Sequence, residues 1–350
     1  MKKGSATVAQ LSGFDEIIDV RSPAEFADDH IPGAINMPVL DNDERARVGT
    51  IYKQVSPFEA RRIGGALVAA NMARHLHAHF QHQPKDWRPL VYCWRGGQRS
   101  GAFVTWLRMI GWDACQLEGG YKRFRRHVLD GLDALPATLD LRIVCGPTGS
   151  AKTAVLHALA AQGAQILDLE GLAAHKGSVL GALPGIEQPS QKSFETALHA
   201  TLTGFDPSRP VYAEAESRKI GRLHVPEAVI ERMRAARCVR IDASHAARIA
   251  FLLRDYAYLG DDPGALKTKL GHLQRLLPRE TLARWCDLAD AHDLPALFTE
   301  LIELHYDPLY RRSQNGNYVN FPRAAAVPTA DLSPGGIATL AGDILRLERG

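Results

Sequence analysis

The sequence has few cysteines, and their spacing is unsuited to cross-links or to a structural metal. The five cysteines among 350 residues are widely separated, with no Cys-x-x-Cys pair and no cysteine–histidine cluster at zinc-ligand spacing. A disulfide framework and a structural zinc site are therefore excluded. The chain also lacks the run of about 18 consecutive apolar residues that a membrane-spanning helix needs, so we expect no membrane partner.

The chain carries little excess charge of either sign. Its 42 Lys and Arg residues against 39 Asp and Glu residues give a net charge of +3, which is too small to indicate a nucleic-acid partner by itself. The clustering of the cations is therefore more informative than their number. The basic start of the sequence is not followed by an apolar stretch, which predicts a cytoplasmic protein without a secretory signal.

Two domains are expected from the length and from the order of the strands. With 350 residues and 45% hydrophobic composition, the chain is long enough for two cores. Strands that alternate with helices predict an α/β fold with a parallel sheet in each domain. Glycine, proline and polar residues at 131–139 suggest a linker between a first domain at 1–130 and a second at 140–350, which becomes mainly helical beyond residue 244.

A reactive cysteine is predicted at the end of the strand Pro89–Cys93. Cys93 opens the loop Cys-Trp-Arg-Gly-Gly-Gln-Arg-Ser, after which apolar residues recur at helical spacing. Amides at the start of that helix, together with Arg95 and Arg99, would lower the pKa of the thiol from its usual value of about 8.5. The same donors would bind a tetrahedral anion or stabilise a persulfide. The alternative is a buried, inert cysteine.

A phosphate-binding loop is predicted at the start of the second domain. The segment Gly146–Thr153 has the Walker A spacing, apart from Ala151 at the position of the last glycine. Because alanine enters positive φ less readily than glycine, nucleotide binding does not follow from loop formation alone. Lys152 would reach the terminal phosphate, and the Thr153 hydroxyl would take a Mg²⁺ position. The predicted phosphate-binding residues are Gly146, Thr148, Gly149, Ser150, Lys152 and Thr153.

Further polar side chains follow later strands of the second domain. Open parallel sheets bind ligands at the carboxyl ends of their strands. Acid–base or Mg²⁺-binding roles are therefore predicted for Asp168, His175, Glu214 and Glu216. Phosphate contacts are predicted for the cations of the following turn, Arg218, Lys219 and Arg222. A capping or solvated surface role is the alternative for each of these residues.

One dense basic cluster lies near the end of the first domain. Residues 122–127 are Lys-Arg-Phe-Arg-Arg-His, and cations beside an aromatic ring can bind phosphates and stack on a base. The predicted RNA-binding residues are Lys122, Arg123, Arg125 and Arg126. A solvated basic helix end is the alternative.

Two further segments of the first domain accompany the Cys93 loop: residues 19–26 (Asp-Val-Arg-Ser-Pro-Ala-Glu-Phe) and residues 30–36 (His-Ile-Pro-Gly-Ala-Ile-Asn). Together with that loop, they resemble the rhodanese family. This resemblance implies that three residues support the loops instead of taking part in the chemistry, namely Asp19, Arg21 and Gly33.

The cysteine loop is wider than in common single-domain rhodaneses. Five residues separate Cys93 from Arg99, where those proteins have four. Phosphatases of the same fold share the wider loop, which suits a larger anion. Two interpretations stay open at this point: a phosphatase that cleaves a phosphoester at Cys93, and a chalcogen transferase whose donor carries a phosphate group.

The motifs follow one another in a specific order along the chain. The Cys93 loop and the P-loop are followed by Asp-Leu-Glu from residue 168, His-Lys-Gly-Ser from 175 and Glu-Ala-Glu-Ser-Arg-Lys-Ile-Gly from 214. This order resembles the tRNA 2-selenouridine synthase family. The resemblance covers roughly residues 14–320. It implies a rhodanese-like domain with a parallel sheet, followed by a P-loop NTPase-like α/β domain with a mainly helical C-terminal part.

This second resemblance implies a transferase that acts on tRNA. Its substrate would be 2-thiouridine at the wobble position, its donors selenophosphate and geranyl diphosphate, and its intermediate an S-geranylated base, with no tightly bound cofactor. Cys93 would carry selenium as a selenosulfide or act on the activated base. Either geranyl diphosphate or a nucleotide would occupy the P-loop.

Two other functions suit the same motifs. One is a rhodanese-fold sulfurtransferase or phosphatase with an accessory nucleotide-binding domain, which would turn over without tRNA. The other is a non-catalytic anion or redox sensor, which would bind at Cys93 and turn nothing over.

Overall fold

The structure, a computed structural model, describes residues 4–178 and 181–347 and divides into two compact units. The first unit contains Met1–Gly131 and Pro189–His199, and the second contains Leu132–Gln188 and Ala200–Gly350. Both are α/β structures built on parallel sheets, which confirms the predicted fold class.

The first unit is built on a five-stranded parallel sheet. Its strands are β1 (Ser5–Ala6), β2 (Glu16–Asp19), β3 (Ile35–Asn36), β4 (Pro89–Tyr92) and β5 (Cys115–Leu117). They lie in the order β1-β5-β4-β2-β3, and every pair is parallel. All four residues of β4 are buried, as expected for a continuous apolar strand covered on both faces. This central strand delivers Cys93 at its carboxyl end.

Helices cover the sheet of the first unit and close its core. They are α1 (Pro23–Asp28), α2 (Asn42–Gln54), α3 (Pro57–Ala78), α4 (Gln98–Ile110) and α5 (Gly120–Ala134). The core joins strand residues such as Ile18 and Val91 to Phe103 and Leu107 of α4. The predicted strands and the helix after Cys93 are confirmed, whereas the pair α2 and α3 was not predicted.

The residues expected to form a linker are helical in the structure. Helix α5 continues to Ala134, and a 3₁₀ turn covers Leu135–Thr138. Val128 and Leu132 lie one turn apart on α5 and are both buried, which stabilises this end of the helix. The glycine and proline of this stretch therefore accompany helical turns instead of an extended connection.

The second unit is built on another five-stranded parallel sheet. Its strands are β6 (Leu141–Cys145), β7 (Gln165–Leu167), β8 (Val211–Glu214), β11 (Arg237–Ala243) and β12 (Ala325–Thr329), and a separate antiparallel pair comprises β9 (Lys219–Ile220) and β10 (Leu223–His224). The order in the sheet is β12-β11-β6-β8-β7. Strand β12 was not predicted, because only Val327 of its five residues is buried and the apolar signal is weak.

Helices α6, α7, α9 and α15 and the last part of α8 belong to the sheet region of the second unit. A helical part lies between β11 and β12. The first group is α6 (Lys152–Ala161), α7 (Leu169–Ala173), α8 (Gln191–Thr203), α9 (Glu227–Ala235) and α15 (Pro334–Leu347). The helical part contains α10 (His245–Asp255), α11 (Pro263–Gly271), α12 (Arg279–Asp290), α13 (Leu294–Glu300), a π-helix (Leu301–Tyr306) and α14 (Asp307–Asn317). It has its own core around Trp285 and Leu297. The predicted helical region is thus confirmed, with β12 as its exception.

The first part of α8 is held in the first unit by polar side chains. Thr196 Oγ1 donates to Asp29 Oδ2 at 3.0 Å, and Lys192 Nζ donates to Asp28 Oδ2 at 2.6 Å. The segment Pro189–His199 was assigned to the second domain from the sequence. Pairings between residues more than 160 positions apart leave no mark in a local pattern.

Within residues 4–178 and 181–347, none of the helices combines the length and the hydropathy of a membrane span.

Candidate active sites: the cysteine loop and the phosphate-binding loop

The backbone of the Cys93 loop is tightly folded between β4 and α4. Gly96 has φ +63°, and a Cβ there would lie 2.7 Å from the carbonyl oxygen of Leu117. Only glycine accommodates both the positive φ and this close approach. The turn before α5 closes on the same loop, because the amide of Tyr121 donates to the carbonyl of Cys93 at 2.9 Å. The loop is therefore fixed from two sides.

Two donors point at the sulfur of Cys93, which is 3% exposed. The amide of Gly97 lies 3.3 Å from Sγ, and the hydroxyl of Ser100 lies 3.1 Å from it. Burial raises the pKa of the Cys93 thiol. The Ser100 hydroxyl, the amides of Ser100 and Gly97 and the charge of Arg99 together lower it by more, so the pKa lies below its ordinary value. The structure therefore favours the thiolate, which is the nucleophilic form.

Ser100 and Gln116 are functional residues that the sequence analysis did not single out. Gln116 Nε2 donates to Ser100 Oγ at 2.8 Å and to the carbonyl of Gly97 at 3.0 Å. The Ser100 oxygen thus accepts from Gln116, and the hydroxyl donates its own proton to the sulfur of Cys93. The signal for Ser100 was its place in the first turn of the helix after the cysteine, whereas nothing local marks Gln116.

The two arginines of the loop differ in their surroundings. Arg99 Nη1 lies 2.9 Å from Glu25 Oε2, and both side chains are mostly buried. Its charge contributes to the low pKa of Cys93. Arg95 is exposed. Arg99 and the hydrogen-bond donors thus lower the pKa of the thiol. Arg95 lies on the surface beside the loop.

Asp19 and Arg21 form a buried ion pair beneath the loops. Arg21 Nε lies 3.0 Å from both carboxylate oxygens of Asp19, and Arg21 Nη2 donates to the carbonyl of Asp29 at 2.7 Å. The guanidinium also lies 3.9 Å from the ring centroid of Tyr121, whose hydroxyl donates to Asp29 at 2.7 Å. These contacts give both residues the supporting role implied by the rhodanese resemblance.

The predicted RNA-binding cluster on α5 is divided by the structure. Lys122, Arg123 and Arg126 are exposed, and Arg126 forms a surface ion pair with Asp130. Phe124 is 5% exposed and cannot stack on a base, contrary to the role expected of it.

Arg125 differs from the other cations of the cluster. It is largely buried in an ion pair with Glu195. Helical periodicity explains the division, because positions 121, 124 and 128 face the core.

The phosphate-binding loop connects β6 to α6 and contains an unusual residue conformation. Ala151, at the position of the last Walker A glycine, has φ +59° and ψ +31° and is 4% exposed. Alanine is thus held in the left-handed region that glycine normally occupies, at a cost of about 1–3 kcal/mol. The neighbouring Lys152 Nζ donates to the carbonyl of Gly146 at 3.1 Å. Loop formation is preserved despite the substitution.

The loop is supported by a buried ion pair that the sequence analysis missed. Arg248 of α10 donates from Nε to the carbonyl of Thr148 at 2.9 Å, and its two terminal nitrogens lie 2.6 and 3.0 Å from the carboxylate of Asp307. Arg248 is 5% exposed. The helical part of the second unit therefore fixes the position of the loop.

Three carboxylates converge next to Thr153. Oxygen atoms of Glu170, Glu214 and Glu216 lie within 4.8 Å of one another. Thr153 Oγ1 lies 2.8 Å from Glu214 and 3.0 Å from Glu170. Burial and the neighbouring Glu170 raise the pKa of Glu216 to about 8, and burial with both neighbours raises the pKa of Glu214 well above its ordinary value. Among the residues that the structure describes, none forms a hydrogen bond with the buried Glu214 Oε1.

The neighbouring candidates Asp168 and His175 take other positions. Asp168 caps α7 by accepting from the amide of Gly171 at 2.7 Å, and it lies 2.7 Å from His157 Nε2. The carboxylate cluster instead contains Glu170, two residues later. His175 is half-buried, and burial lowers its pKa. Of the two acids that follow β7, Glu170 therefore lies in the cluster and Asp168 caps the helix.

The cations after β8 are engaged by the protein or exposed. Arg218 forms an ion pair with Glu227 on the surface, Arg222 donates to the carbonyl of Gln188, and Lys219 is exposed at the start of β9.

An apolar cavity adjoins the phosphate-binding loop. It has room for about 20 Å³ of water-sized solvent, and its wall is largely aliphatic and aromatic. The lining residues are Thr148, Ser178, Leu252, Tyr256, Phe298, Leu301, Ile302 and Tyr306. Three of them lie in the π-helix Leu301–Tyr306, a local geometry that is frequent at functional sites.

Comparisons with known proteins match both units to described families. Residues 5–127 match the rhodanese-like domain, and residues 139–262 match the tRNA 2-selenouridine synthase AAA domain. A tRNA 2-selenouridine synthase of Cronobacter sakazakii is 34% identical over 329 residues, which cover 84% of this chain and 86% of that protein.

A second relative and a solved structure are also similar. For a tRNA 2-selenouridine synthase of Nitrosomonas europaea, the identity is 35% over 266 residues, covering 74% of this chain and 66% of that protein. The solved structure of a rhodanese-related protein from Thermoplasma volcanium has 20% identity and a TM-score of 0.24, covering 35% of this chain and 92% of its own.

Proposed function

The chain belongs to the tRNA 2-selenouridine synthase family, and on that premise we propose that it is a transferase replacing sulfur by selenium in wobble 2-thiouridine of tRNA. The donors in this proposal are selenophosphate and geranyl diphosphate, and the reaction would take place in the cytoplasm. The rhodanese-like unit and the P-loop unit each supply one chemical step.

The observation that carries this proposal is that Thr148 belongs both to the phosphate-binding loop and to the wall of the apolar cavity. A ligand with its diphosphate on the loop could lay a hydrocarbon chain against this apolar wall without leaving the site. Each methylene transferred from water contributes about 0.8 kcal/mol. A prenyl diphosphate combines these two parts in one molecule, whereas a nucleoside carries a polar sugar. The geometry therefore favours geranyl diphosphate as the P-loop ligand.

In the first step, the sulfur of 2-thiouridine attacks the first carbon of the geranyl chain. The carbon–oxygen bond breaks, diphosphate leaves with the bonding electrons, and the base loses its N3 proton. Lys152 and the amides of the loop bind the departing diphosphate and stabilise its charge. The product carries sulfur as a thioether, which is a better leaving group than the original thiocarbonyl sulfur.

Mg²⁺ suits the carboxylate cluster beside this loop. Oxygen ligands are those that Mg²⁺ prefers, and the unpartnered Glu214 Oε1 together with the crowding of Glu170 and Glu216 indicates a place for a cation. These carboxylates with the Thr153 hydroxyl would hold the ion, which would supply charge neutralisation for the diphosphate. The protein residues otherwise act by positioning: Arg248 fixes the Thr148 carbonyl, and Lys152 turns from the carbonyl of Gly146 to the phosphate.

In the second step, we assign to Cys93 the role of nucleophile at C2 of the geranylated base. Its thiolate adds to C2, the bond between C2 and the sulfur of the S-geranyl group breaks, and geranylthiolate leaves and takes up a proton. Selenium of selenophosphate then attacks C2 and displaces Cys93 as thiolate. Hydrolysis of the selenium–phosphorus bond gives phosphate and 2-selenouridine, with a proton returned to N3. No oxidant or reductant is needed, which favours this route over a selenosulfide on Cys93.

The test of this function is mass spectrometry of nucleosides from tRNA carrying wobble 2-thiouridine. With geranyl diphosphate alone we expect the S-geranylated nucleoside, and with both donors we expect 2-selenouridine, geranylthiol and diphosphate. Unchanged 2-thiouridine under both conditions would overturn the proposal. Hydrolysis of an aryl phosphate at Cys93 without tRNA would identify a phosphatase instead, and binding of ADP with exclusion of geranyl diphosphate would identify a nucleotide site.

A further inference from the structure

We propose that Trp94 is the platform on which the target nucleobase stacks beside Cys93. The inference rests on the proposed function, since it names the residue that would position the base for that reaction. Trp94 follows the nucleophile directly in the chain, yet its side chain is 38% exposed whereas Cys93 is 3% exposed. Exposure alone does not distinguish Trp94, since Trp106 is 48% exposed; its place directly after the buried thiol does.

The indole is backed by a fixed aromatic ring. The ring centroids of Trp94 and Tyr121 lie 5.4 Å apart with an interplanar angle of 32°. Tyr121 is 2% exposed and is held by its hydrogen bond to Asp29 and by the Arg21 guanidinium over its ring. One side of Trp94 therefore rests on an immobile support, which leaves the exposed part available to a ligand.

The backbone of Trp94 is also fixed relative to the cations of α5. The amide of Lys122 donates to the carbonyl of Trp94 at 2.9 Å, directly after the amide of Tyr121 donates to the carbonyl of Cys93. Lys122, Arg123 and Arg95 are all exposed. An aromatic surface bordered by cations is the combination that binds single-stranded RNA, through base stacking and phosphate contacts.

Trp94 thus provides the aromatic ring for base stacking that the sequence led us to expect from Phe124, which is buried. Since Trp94 follows Cys93 in the chain, a base lying on the indole would lie beside the loop that carries the attacking thiolate. Trp94 is therefore a positioning residue: it would raise the occupancy and alignment of the base without changing the ionisation of Cys93.

The test compares Trp94→Phe, Trp94→Leu and Trp94→Ala in the full chain, with Trp106→Leu as the control. Trp106 lies on α4 and is 48% exposed, so its replacement removes a surface indole from the same unit. The probe is an RNA hairpin with 2-thiouridine at the wobble position of its loop. Dissociation constants, quenching of tryptophan fluorescence and the pH dependence of Cys93 alkylation are measured.

We expect Trp94→Ala and Trp94→Leu to raise the dissociation constant about ten-fold, the effect of losing one base–aromatic stack, and Trp94→Phe to retain most of the affinity. Fluorescence quenching should disappear in the Trp94 variants and persist in Trp106→Leu. The alkylation profile of Cys93 should stay unchanged throughout. Equal affinity of the Leu and Phe variants, or a shifted alkylation profile, would overturn the inference by showing a packing role. Failure of the unaltered protein to bind the hairpin would instead count against the proposed function itself.

Discussion

The hydroxyl of Ser100 donates a hydrogen bond to the sulfur of Cys93 at 3.1 Å. Ser100 is fully buried, and Gln116 donates to the same hydroxyl oxygen. The proton of Ser100 is thereby directed at the sulfur in an environment with little competing water. This relationship explains why a buried thiol, whose pKa burial alone would raise, has a pKa below the ordinary value.

Ser100→Ala is expected to raise the pKa of Cys93, because it removes the side-chain donor that stabilises the thiolate. Since the thiolate is the reactive form, alkylation at neutral pH should slow about ten-fold, the effect of losing a hydrogen bond to a charged group. The rate of iodoacetamide alkylation across pH checks this. In the unaltered protein the rate should fall only as the pH drops through the lowered pKa, and in the variant the fall should begin at higher pH.

The control for this prediction is Thr105→Ala. Thr105 lies on the same helix, but its hydroxyl donates to the carbonyl of Gly101 at 2.8 Å and not to the sulfur. An equal shift in both variants would mean that the helix, and not the hydrogen bond, sets the reactivity of Cys93.

Cys93→Ser is expected to abolish 2-selenouridine formation while leaving geranylation largely intact. In the proposed mechanism the thiolate acts only after the base has been activated, and the diphosphate is bound by the P-loop. The variant should therefore accumulate the S-geranylated nucleoside in the presence of both donors. Nucleoside mass spectrometry distinguishes this outcome from loss of both products, which would place Cys93 in the first step as well.

Lys122→Ala should weaken RNA binding with little change in stability, whereas Arg125→Ala should mainly lower the stability of the protein. Lys122 is exposed, so its loss should change stability by less than about 0.5 kcal/mol and reduce the salt dependence of tRNA binding by about one phosphate contact. Arg125 is paired with Glu195 and mostly buried, so its removal leaves a carboxylate unpaired and should cost about 3 kcal/mol. Denaturant unfolding and tRNA titration at several salt concentrations measure the two effects. Similar behaviour of both variants would contradict the division of the cluster.

The sequence was sufficient to locate candidate site residues where the reactive side chain and the backbone conformation belong to one local pattern. Cys93 at a strand end and Lys152 and Thr153 at a helix start could be located because strand, loop and helix are consecutive. Ala151 shows that the shape of the phosphate-binding loop also depends on its surroundings, which hold an alanine at φ +59°.

The sequence was insufficient where function depends on residues far apart in the chain. Gln116 supports Ser100, Glu195 pairs with Arg125, and Arg248 fixes the Thr148 carbonyl, and none of these contacts follows from spacing. Selecting Asp168 over Glu170 illustrates a related limit, because both follow β7 and only the start of α7 decides which carboxylate caps the helix.

Glu214→Gln should remove the response of the protein to Mg²⁺. The carboxylates of Glu170, Glu214 and Glu216 repel one another in a largely buried site, so a bound cation should stabilise the unaltered protein. At a Mg²⁺ concentration one hundred times its dissociation constant, binding adds about 2.7 kcal/mol to the free energy of unfolding. This is observed as a rise in Tm. The variant should lose the rise, and its metal-free Tm should not fall, since glutamine keeps the shape of a carboxyl group whose raised pKa already favours the neutral form. The exposed Glu231 of α9 provides the control Glu231→Gln; an unchanged Mg²⁺ response in Glu214→Gln would remove this residue from the site.

Ile302→Phe should separate binding of the hydrocarbon chain from binding of the diphosphate. Ile302 is fully buried in the cavity wall, and a larger ring there would occupy space that the prenyl chain needs, at a packing cost of about 1–3 kcal/mol. We expect at least a ten-fold weaker affinity for geranyl diphosphate and an unchanged affinity for inorganic diphosphate, both measured by calorimetry. Lys152→Ala should weaken both ligands, because it removes the cation that the phosphates share. Leu304→Phe is the matched control, since Leu304 lies on the same π-helix but is 53% exposed. Should Ile302→Phe bind geranyl diphosphate as well as this control does, the prenyl chain would have to lie outside the cavity, and the physical reason for preferring a prenyl diphosphate over a nucleotide at this P-loop would be lost.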